Sequence, residues 1–209
     1  GKQDLATEFG IQIAFFDGRG GPPARGGGNT HQFYASMGDK IQSDDIQLTI
    51  QGQTISSNFG TLDSSQYNLE QLLSSGIENQ IFNPGKNNLS DDDRILMGQI
   101  ADISYKSYQD FKAHPMFIPY LERMSTLPYY AKANIGSRPS KRGKSTSLKF
   151  EDLRAIPFVG SWSQLKQNVP GFFGLGLALQ SMIDQGKIDE LKGLYNSSRF
   201  FRTLIFNSM

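Results

Sequence analysis

The chain has 209 residues, with 21 Lys and Arg against 20 Asp and Glu, a net charge of +1, 37% apolar residues and no cysteine. That length is enough for one domain, residues 1–209, with a real core. The near-zero charge supplies no field to draw in nucleic acid or a membrane surface, no apolar run reaches the ~18 residues of a membrane span, and the missing cysteine excludes disulfides and thiolate metal sites and suits a reducing cytoplasm.

The chain opens on a short helical lead-in over Gln3 to Phe9. Ile11 to Phe16 is an apolar run and reads as a buried strand. It leads into Asp17-Gly18-Arg19-Gly20-Gly21-Pro22-Pro23-Ala24-Arg25-Gly26-Gly27-Gly28. Glycines let backbone N–H groups approach a ligand with no side chain between. Arginine adds a planar fork of donors suited to phosphate and carboxylate. The combination describes an anion cradle. It is neither of the common phosphate loops, since GxxxxGK[ST] and a helix-opening GxGxxG are both absent. The plainer reading, a flexible linker, would favour serine over Pro22-Pro23.

His31 to Ser36 begins a helix with Thr30 as its cap. Ile46 to Ile50 alternates apolar and polar, turns at Gln51-Gly52-Gln53 and continues through Thr54 to Phe59, the pattern of a hairpin. Ser64 to Ile77 reads as a helix with Leu69, Leu72 and Leu73 on one face, and Phe82 to Asn88 as a loop. Ser90-Asp91-Asp92-Asp93 opens the longest helix, with the acids at the favourable end of its dipole. That position explains the three aspartates without a metal. Leu96, Ile100, Ala101 and Ile103 form its apolar stripe, Tyr108 and Phe111 follow, and it stops before His114-Pro115. His114 reads as a surface or capping residue.

Pro115 to Ser125 is a further helix, with Phe117, Tyr120 and Leu121 inward. Gly136 to Thr146, with Lys149 beyond, carries Arg138, Lys141, Arg142 and Lys144 on a basic loop. It contains Gly143-Lys144-Ser145-Thr146, but Arg138 stands where a Walker loop needs glycine. Leu153-Arg154-Ala155-Ile156-Pro157-Phe158 brackets an arginine with apolar residues, which is costly unless the charge is paired or faces a site. Pro157 is expected to end any regular element there, with a helix starting at Ser161. Pro170 to Leu179, Asp184 to Tyr195 and Phe200 to Phe206 read as helices. The chain starts without Met and helical periodicity runs to its end, as expected of a piece excised from a larger protein.

Short apolar segments thus lead into or surround Arg19, Arg25, Arg138 and Arg154, with helices between. This predicts a helix-rich α/β fold, part of a (β/α)8 barrel, whose strand ends bring the arginines to one mouth. Four arginines there suit a small, multiply anionic substrate.

The same segments resemble the phosphoenolpyruvate carboxylase family. Phe16 to Gly28 is similar to its glycine-rich loop, Gly136-Ser137-Arg138-Pro139-Ser140-Lys141-Arg142 to a second motif, and Leu153 to Pro157 with Trp162-Ser163-Gln164 to a third. The motifs fall in the family's order over nearly the whole chain. The resemblance implies carboxylation of phosphoenolpyruvate by bicarbonate to oxaloacetate and phosphate, with Mg²⁺ or Mn²⁺ held by ligands outside this chain, in a cytoplasmic homo-tetramer. It implies that Arg19, Arg138 and Arg154 hold the phosphoryl group, that Arg25 serves the carboxylation step from a mobile loop, and that Gly20, Gly21, Gly26 and Gly27 shape the substrate site. The isolated 209 residues are expected to be inactive. The chain departs from the family at Asp17, where the family has His, at Phe158, where it has Trp, and in a two-residue insertion between Arg138 and Arg154. Asp17 either takes part in catalysis by orienting Arg19 or marks a non-catalytic domain that binds a phosphorylated metabolite. Nucleic-acid binding through Arg138 to Lys149 is a weaker reading, which the net charge disfavours.

Overall fold

The computed structural model describes residues 2–11, 13, 30–38, 53–82, 87–130, 132, 148–167 and 169–209. These fall into two compact units. One takes the chain up to Arg94 and again from Asp189 to Met209, and the other takes Ile95 to Ile188.

The first unit holds α1 (Lys2–Glu8), α2 (Thr30–Ala35), α3 (Gln53–Phe59), α4 (Leu62–Ile77), most of α11 (Ile188–Ser197) and α12 (Arg199–Ser208). Helix α1 ends where Gly10 turns left-handed at φ +66, and the Ile11 N–H reaches back to the Ala6 carbonyl at 2.9 Å. That closure satisfies a carbonyl the helix end leaves open. Helix α4 starts on a capping box: Thr61 Oγ1 accepts from the Ser64 N–H, and Ser64 Oγ from the Thr61 N–H. Asn68 donates to the Asn58 carbonyl and ties α3 to it. A π-turn, Glu78–Phe82, continues directly from α4.

The second unit is built on α5 (Asp91–Ala113), α6 (Phe117–Arg123), α7 (Leu127–Tyr130), α8 (Ala155–Gln164), α9 (Val169–Phe172) and α10 (Leu175–Asp184). Its core is Phe117, Leu121, Leu127 and Trp162, with Phe111, Tyr120, Phe158 and Val169 packed around them. Leu96 and Ile100 are the buried positions of α5. The spacing of three to four between such positions is that of one helix face. Gly160 lets α8 approach α7, since a Cβ there would meet the Tyr130 hydroxyl.

The barrel expected from the sequence is not the fold: among the described residues there is no strand, and the architecture is helical. Thr54 to Phe59, read as half of a hairpin, lies in α3 and packs on α4. Leu153 to Phe158 enters α8 at Ala155, six residues before the expected start at Ser161. Pro157 does not end it, because it stands in the first turn, where its missing N–H would have had no helical partner. Ile11 and Ile13 are exposed and in no regular element, which is not a buried strand; the rest of that run, and Ile46 to Ile50, lie outside the described residues. The expected helix over Pro170 to Leu179 is two helices, divided at Gly174. Leu69 and Leu73, read as one face with Leu72, are exposed, while Ser75 and Gly76 are the buried residues of α4. Ala101, placed on the apolar stripe of α5, is exposed. Among the described residues no helix is long and apolar enough to cross a membrane.

Gly174 caps α10 at φ +85, and a Cβ on it would come 2.7 Å from the Ser104 carbonyl oxygen. Both the left-handed backbone and the backbone contact oppose any side chain. Gly174→Ala is expected to destabilise the protein by about 2–4 kcal/mol, read as a lower urea midpoint at unchanged slope.

Candidate functional site

Arg154 is the predicted site residue that the structure describes. A 3₁₀ turn, Phe150–Asp152, delivers the chain to it; Asp152 accepts from the Lys149 N–H at 3.2 Å. Leu153 and Arg154 are extended, and Arg154 is the N-cap residue of α8, its carbonyl accepting from the Phe158 N–H at 3.0 Å. Arginine has no acceptor on its side chain and cannot cap a helix as Ser or Asp does. Helix formation therefore does not account for it. The side chain is half-buried, and Nε is fully buried with no hydrogen-bond partner. A buried guanidinium N–H left unpaired costs about 1–3 kcal/mol or more. The arrangement fits a donor held ready for an anion that the described residues do not supply.

Asp17, Arg19, Gly20, Gly21, Arg25, Gly26, Gly27 and Arg138 lie outside the described residues, as does the basic loop up to residue 147. Lys149, at the end of that basic run, is exposed.

The described chain resumes after the glycine-rich loop at α2, and α2 is tied down by side chains that sequence reasoning missed. The Ser75 hydroxyl donates to the His31 carbonyl at 2.8 Å. The Asn79 amide donates to the Tyr34 carbonyl at 2.5 Å. The Asn87 amide donates to the carbonyls of Ala35 and Met37 and to Asn79 Oδ1, at 2.9 to 3.2 Å. Asn87 belongs to the segment read simply as a loop. On the next turn, Glu78 accepts from both terminal nitrogens of Arg199 on α12, at 2.5 and 3.3 Å. Burial, and then the positive charge of Arg199, hold the His31 imidazole below its ordinary value.

Among the described residues no three His, Cys, Asp or Glu side chains converge on a point where a metal would sit. Asp91, Asp92 and Asp93 occupy the first turn of α5, where Ser90 Oγ accepts from the Asp93 N–H at 3.1 Å. His114 caps the next turn, Nδ1 accepting from the Met116 N–H at 3.2 Å.

Residues 2–209 match the sequence model of the family described as phosphoenolpyruvate carboxylase. The phosphoenolpyruvate carboxylase of Corynebacterium diphtheriae is 32% identical over 216 residues, covering 99% of this chain and 24% of that protein. That of Corynebacterium glutamicum is 34% identical over 212 residues, covering 98% of this chain and 23% of the relative. The chain spans about a quarter of the length of the curated relatives it matches.

The His31 environment makes a prediction about pH. Its folded value lies below the unfolded one, so the neutral form is favoured by folding and the associated stability is present above pH 6.5 and lost as the pH falls through the folded value. Two histidines make the NMR titration simple to assign. His31 is expected to titrate below the ordinary histidine value. Arg199→Gln should move it part of the way back up, since burial, the larger cause, remains; no movement would mean that the Arg199 charge does not reach the ring.

Proposed function

The chain belongs to the phosphoenolpyruvate carboxylase family, and from that premise we propose that it supplies the phosphoryl-binding arginines of a carboxylase that joins bicarbonate to phosphoenolpyruvate. A bicarbonate oxygen bonds to phosphorus as the bond from phosphorus to the enol oxygen breaks. This leaves carboxyphosphate and the enolate of pyruvate. The enolate carbon then takes the carboxyl carbon, giving oxaloacetate as phosphate departs. In this reading Arg19, Arg138 and Arg154 neutralise the phosphoryl oxygens, and Gly20, Gly21, Gly26 and Gly27 let the backbone close around them. Arg25 holds the intermediate while the loop excludes water that would hydrolyse it.

The observation that carries the reading is Arg154. It stands in the third of three family motifs, its guanidinium half-buried at the entry to α8, with Nε unpaired. A role in folding would leave it paired; a role in binding an anion leaves it waiting. The Asn79 and Asn87 amides add support of a second kind, since they fix α2, the first described element after the glycine-rich loop.

The family resemblance also implies Mg²⁺ or Mn²⁺. The described carboxylates and histidines do not gather into a site for it, and no step here is routed through the ion. The same reading takes the full-length protein as a cytoplasmic homo-tetramer, in keeping with a chain that lacks cysteine. Asp17 favours a second reading, in which the anion cradle persists in a non-catalytic domain that binds a phosphorylated metabolite. A carboxylate beside the anion repels it unless a cation offsets the charge.

Two measurements on the full-length protein test this. Oxaloacetate production, coupled to a dehydrogenase, is expected to require bicarbonate and to collapse in Arg25→Ala; phosphoenolpyruvate binding without turnover would favour the second reading, and loss of both would defeat both. Arg154→Met is expected to lower kcat/KM for phosphoenolpyruvate by about 10²–10³, as loss of a charge-assisted contact worth roughly 3–4 kcal/mol. It should leave the melting temperature unchanged or raise it, because the variant buries no unpaired donor. A Tm that falls with activity would make Arg154 a structural residue.

A further inference from the structure

We propose that Asn79 and Asn87 are positioning residues for the carboxylation step: by fixing α2 they limit where Arg25 stands, and so decide whether the enolate ends as oxaloacetate or as pyruvate. The inference rests on the function proposed above.

Helix α2 has six residues, too few to hold itself in place. Its ties come from other elements of the first unit and run in series. Asn87 Nδ2 donates to the carbonyls of Ala35 and Met37 and to Asn79 Oδ1, and Asn79 Nδ2 donates in turn to the Tyr34 carbonyl. The acceptors leave each amide one orientation, because a flipped amide would set oxygen against oxygen. The Ser75 hydroxyl has a single hydrogen to share between the carbonyls of His31 and Gln71, at 2.8 and 2.7 Å. The two amides are therefore the firmer tie. Asn79 stands on the π-turn Glu78–Phe82, whose Glu78 pairs with Arg199 of α12. Turns of this type are rare and occur frequently at functional sites. Phe33 of α2 also meets Phe200 of α12, at 6.2 Å.

The chain itself carries the effect to the proposed site. Thr30 opens α2, and Arg25 precedes it by five residues. The Arg25 Cα therefore lies within about 18 Å of that of Thr30, whereas Arg19, eleven residues before, is bounded only to about 40 Å. A shift of α2 constrains Arg25 more tightly than Arg19. A displacement of an ångström made far from the chemistry costs up to about 10²-fold. With Arg25 misplaced, the enolate carbon takes a proton from water in place of the carboxyl carbon and becomes pyruvate. Carboxyphosphate breaks at its carbon–oxygen bond to carbon dioxide and phosphate. The hydroxide left by the water takes up the carbon dioxide as bicarbonate. The sum is phosphoenolpyruvate and water giving pyruvate and phosphate.

The decisive quantity is the fraction of phosphoenolpyruvate that ends as pyruvate, measured on the full-length protein. Malate dehydrogenase in excess traps oxaloacetate before it decarboxylates, and lactate dehydrogenase reports pyruvate. This fraction does not depend on how many molecules are folded, so a purely structural role would not move it. Asn87→Leu keeps the side chain's size and removes its donors. It is expected to raise the pyruvate fraction about tenfold, the scale of one buried hydrogen bond, and Asn79→Leu to raise it by less. Asn68→Leu is the control: Asn68 also donates to two carbonyls, those of Asn58 and Ser64, but ties α3 to α4 and not α2. It should leave the fraction unchanged. An unchanged fraction in Asn87→Leu, with or without a rise in KM, or an equal rise in Asn68→Leu, would overturn the proposal. If Asn87→Leu fails to fold, Asn79→Leu decides against the same control. No oxaloacetate from the unaltered protein would defeat the proposed function and this inference together, an outcome distinct from the others.

Discussion

Four rings meet Trp162, and through them α5, α6 and α8 are held together: Phe111 from the first, Phe117 and Tyr120 from the second, and Phe158 from the same helix as the indole, at centroid distances of 5.7 to 6.3 Å. Pairs of this kind contribute about 0.5–1.5 kcal/mol each beyond the area they bury. Their geometry matters more than their sum. Helix α8 has ten residues, is too short to stand alone, and begins where Arg154 leaves the extended chain. The direction in which that arginine enters the structure is set by where the indole is clamped, two turns further on. A residue at a helix entry is only as well placed as the far end of the helix.

The first unit solves the same problem with hydrogen bonds. Helix α2 has six residues, so most of its carbonyls belong to its C-terminal end and find no helical N–H. Side chains bind several of its carbonyls: Ser75 that of His31, Asn79 that of Tyr34, which also accepts the Met37 N–H, and Asn87 that of Ala35. A carbonyl accepts a side-chain donor only within a narrow range of positions, so three such bonds from two segments fix a short helix that its own ladder would not.

The sequence made the helices legible where polar capping and apolar spacing agreed. Ser90 with Asp93 stands at the start of α5, and Phe117 and Leu121 are buried as their spacing predicts. The barrel was misread from short apolar segments. A run of four to six apolar residues has no period of its own, and neighbours decide between strand and helix. At Leu153 to Phe158 the decisive neighbour was Trp162, which completes a helical face with Phe158 and Leu165 at intervals of three and four. At Thr54 to Phe59 it was α4, whose Asn68 takes up the Asn58 carbonyl. Arg154 was legible for a different reason. A charge in an apolar run is a conflict that local structure does not resolve, and such conflicts mark function. Asn79 and Asn87 were illegible, because an amide bonded to a backbone carbonyl 45 or 52 residues away leaves no trace in its own surroundings.

Unpaired donors therefore carry more information here than paired ones. Among the described residues, three buried side-chain atoms lack a partner: Thr126 Oγ1, Arg154 Nε and Trp162 Nε1. All three belong to the second unit. Around α2 the opposite holds, with scarce carbonyls each matched by a donor. If poor packing were the cause, the open valences would fall where the core is thin. Instead, two of the three lie on α8 and at its entry, where Trp162 is a buried ring of the core and Arg154 precedes it. A hydroxyl such as that of Thr126 rotates and finds acceptors at little cost. A guanidinium and an indole are rigid and donate in fixed directions, so their open positions cost more than that of a hydroxyl.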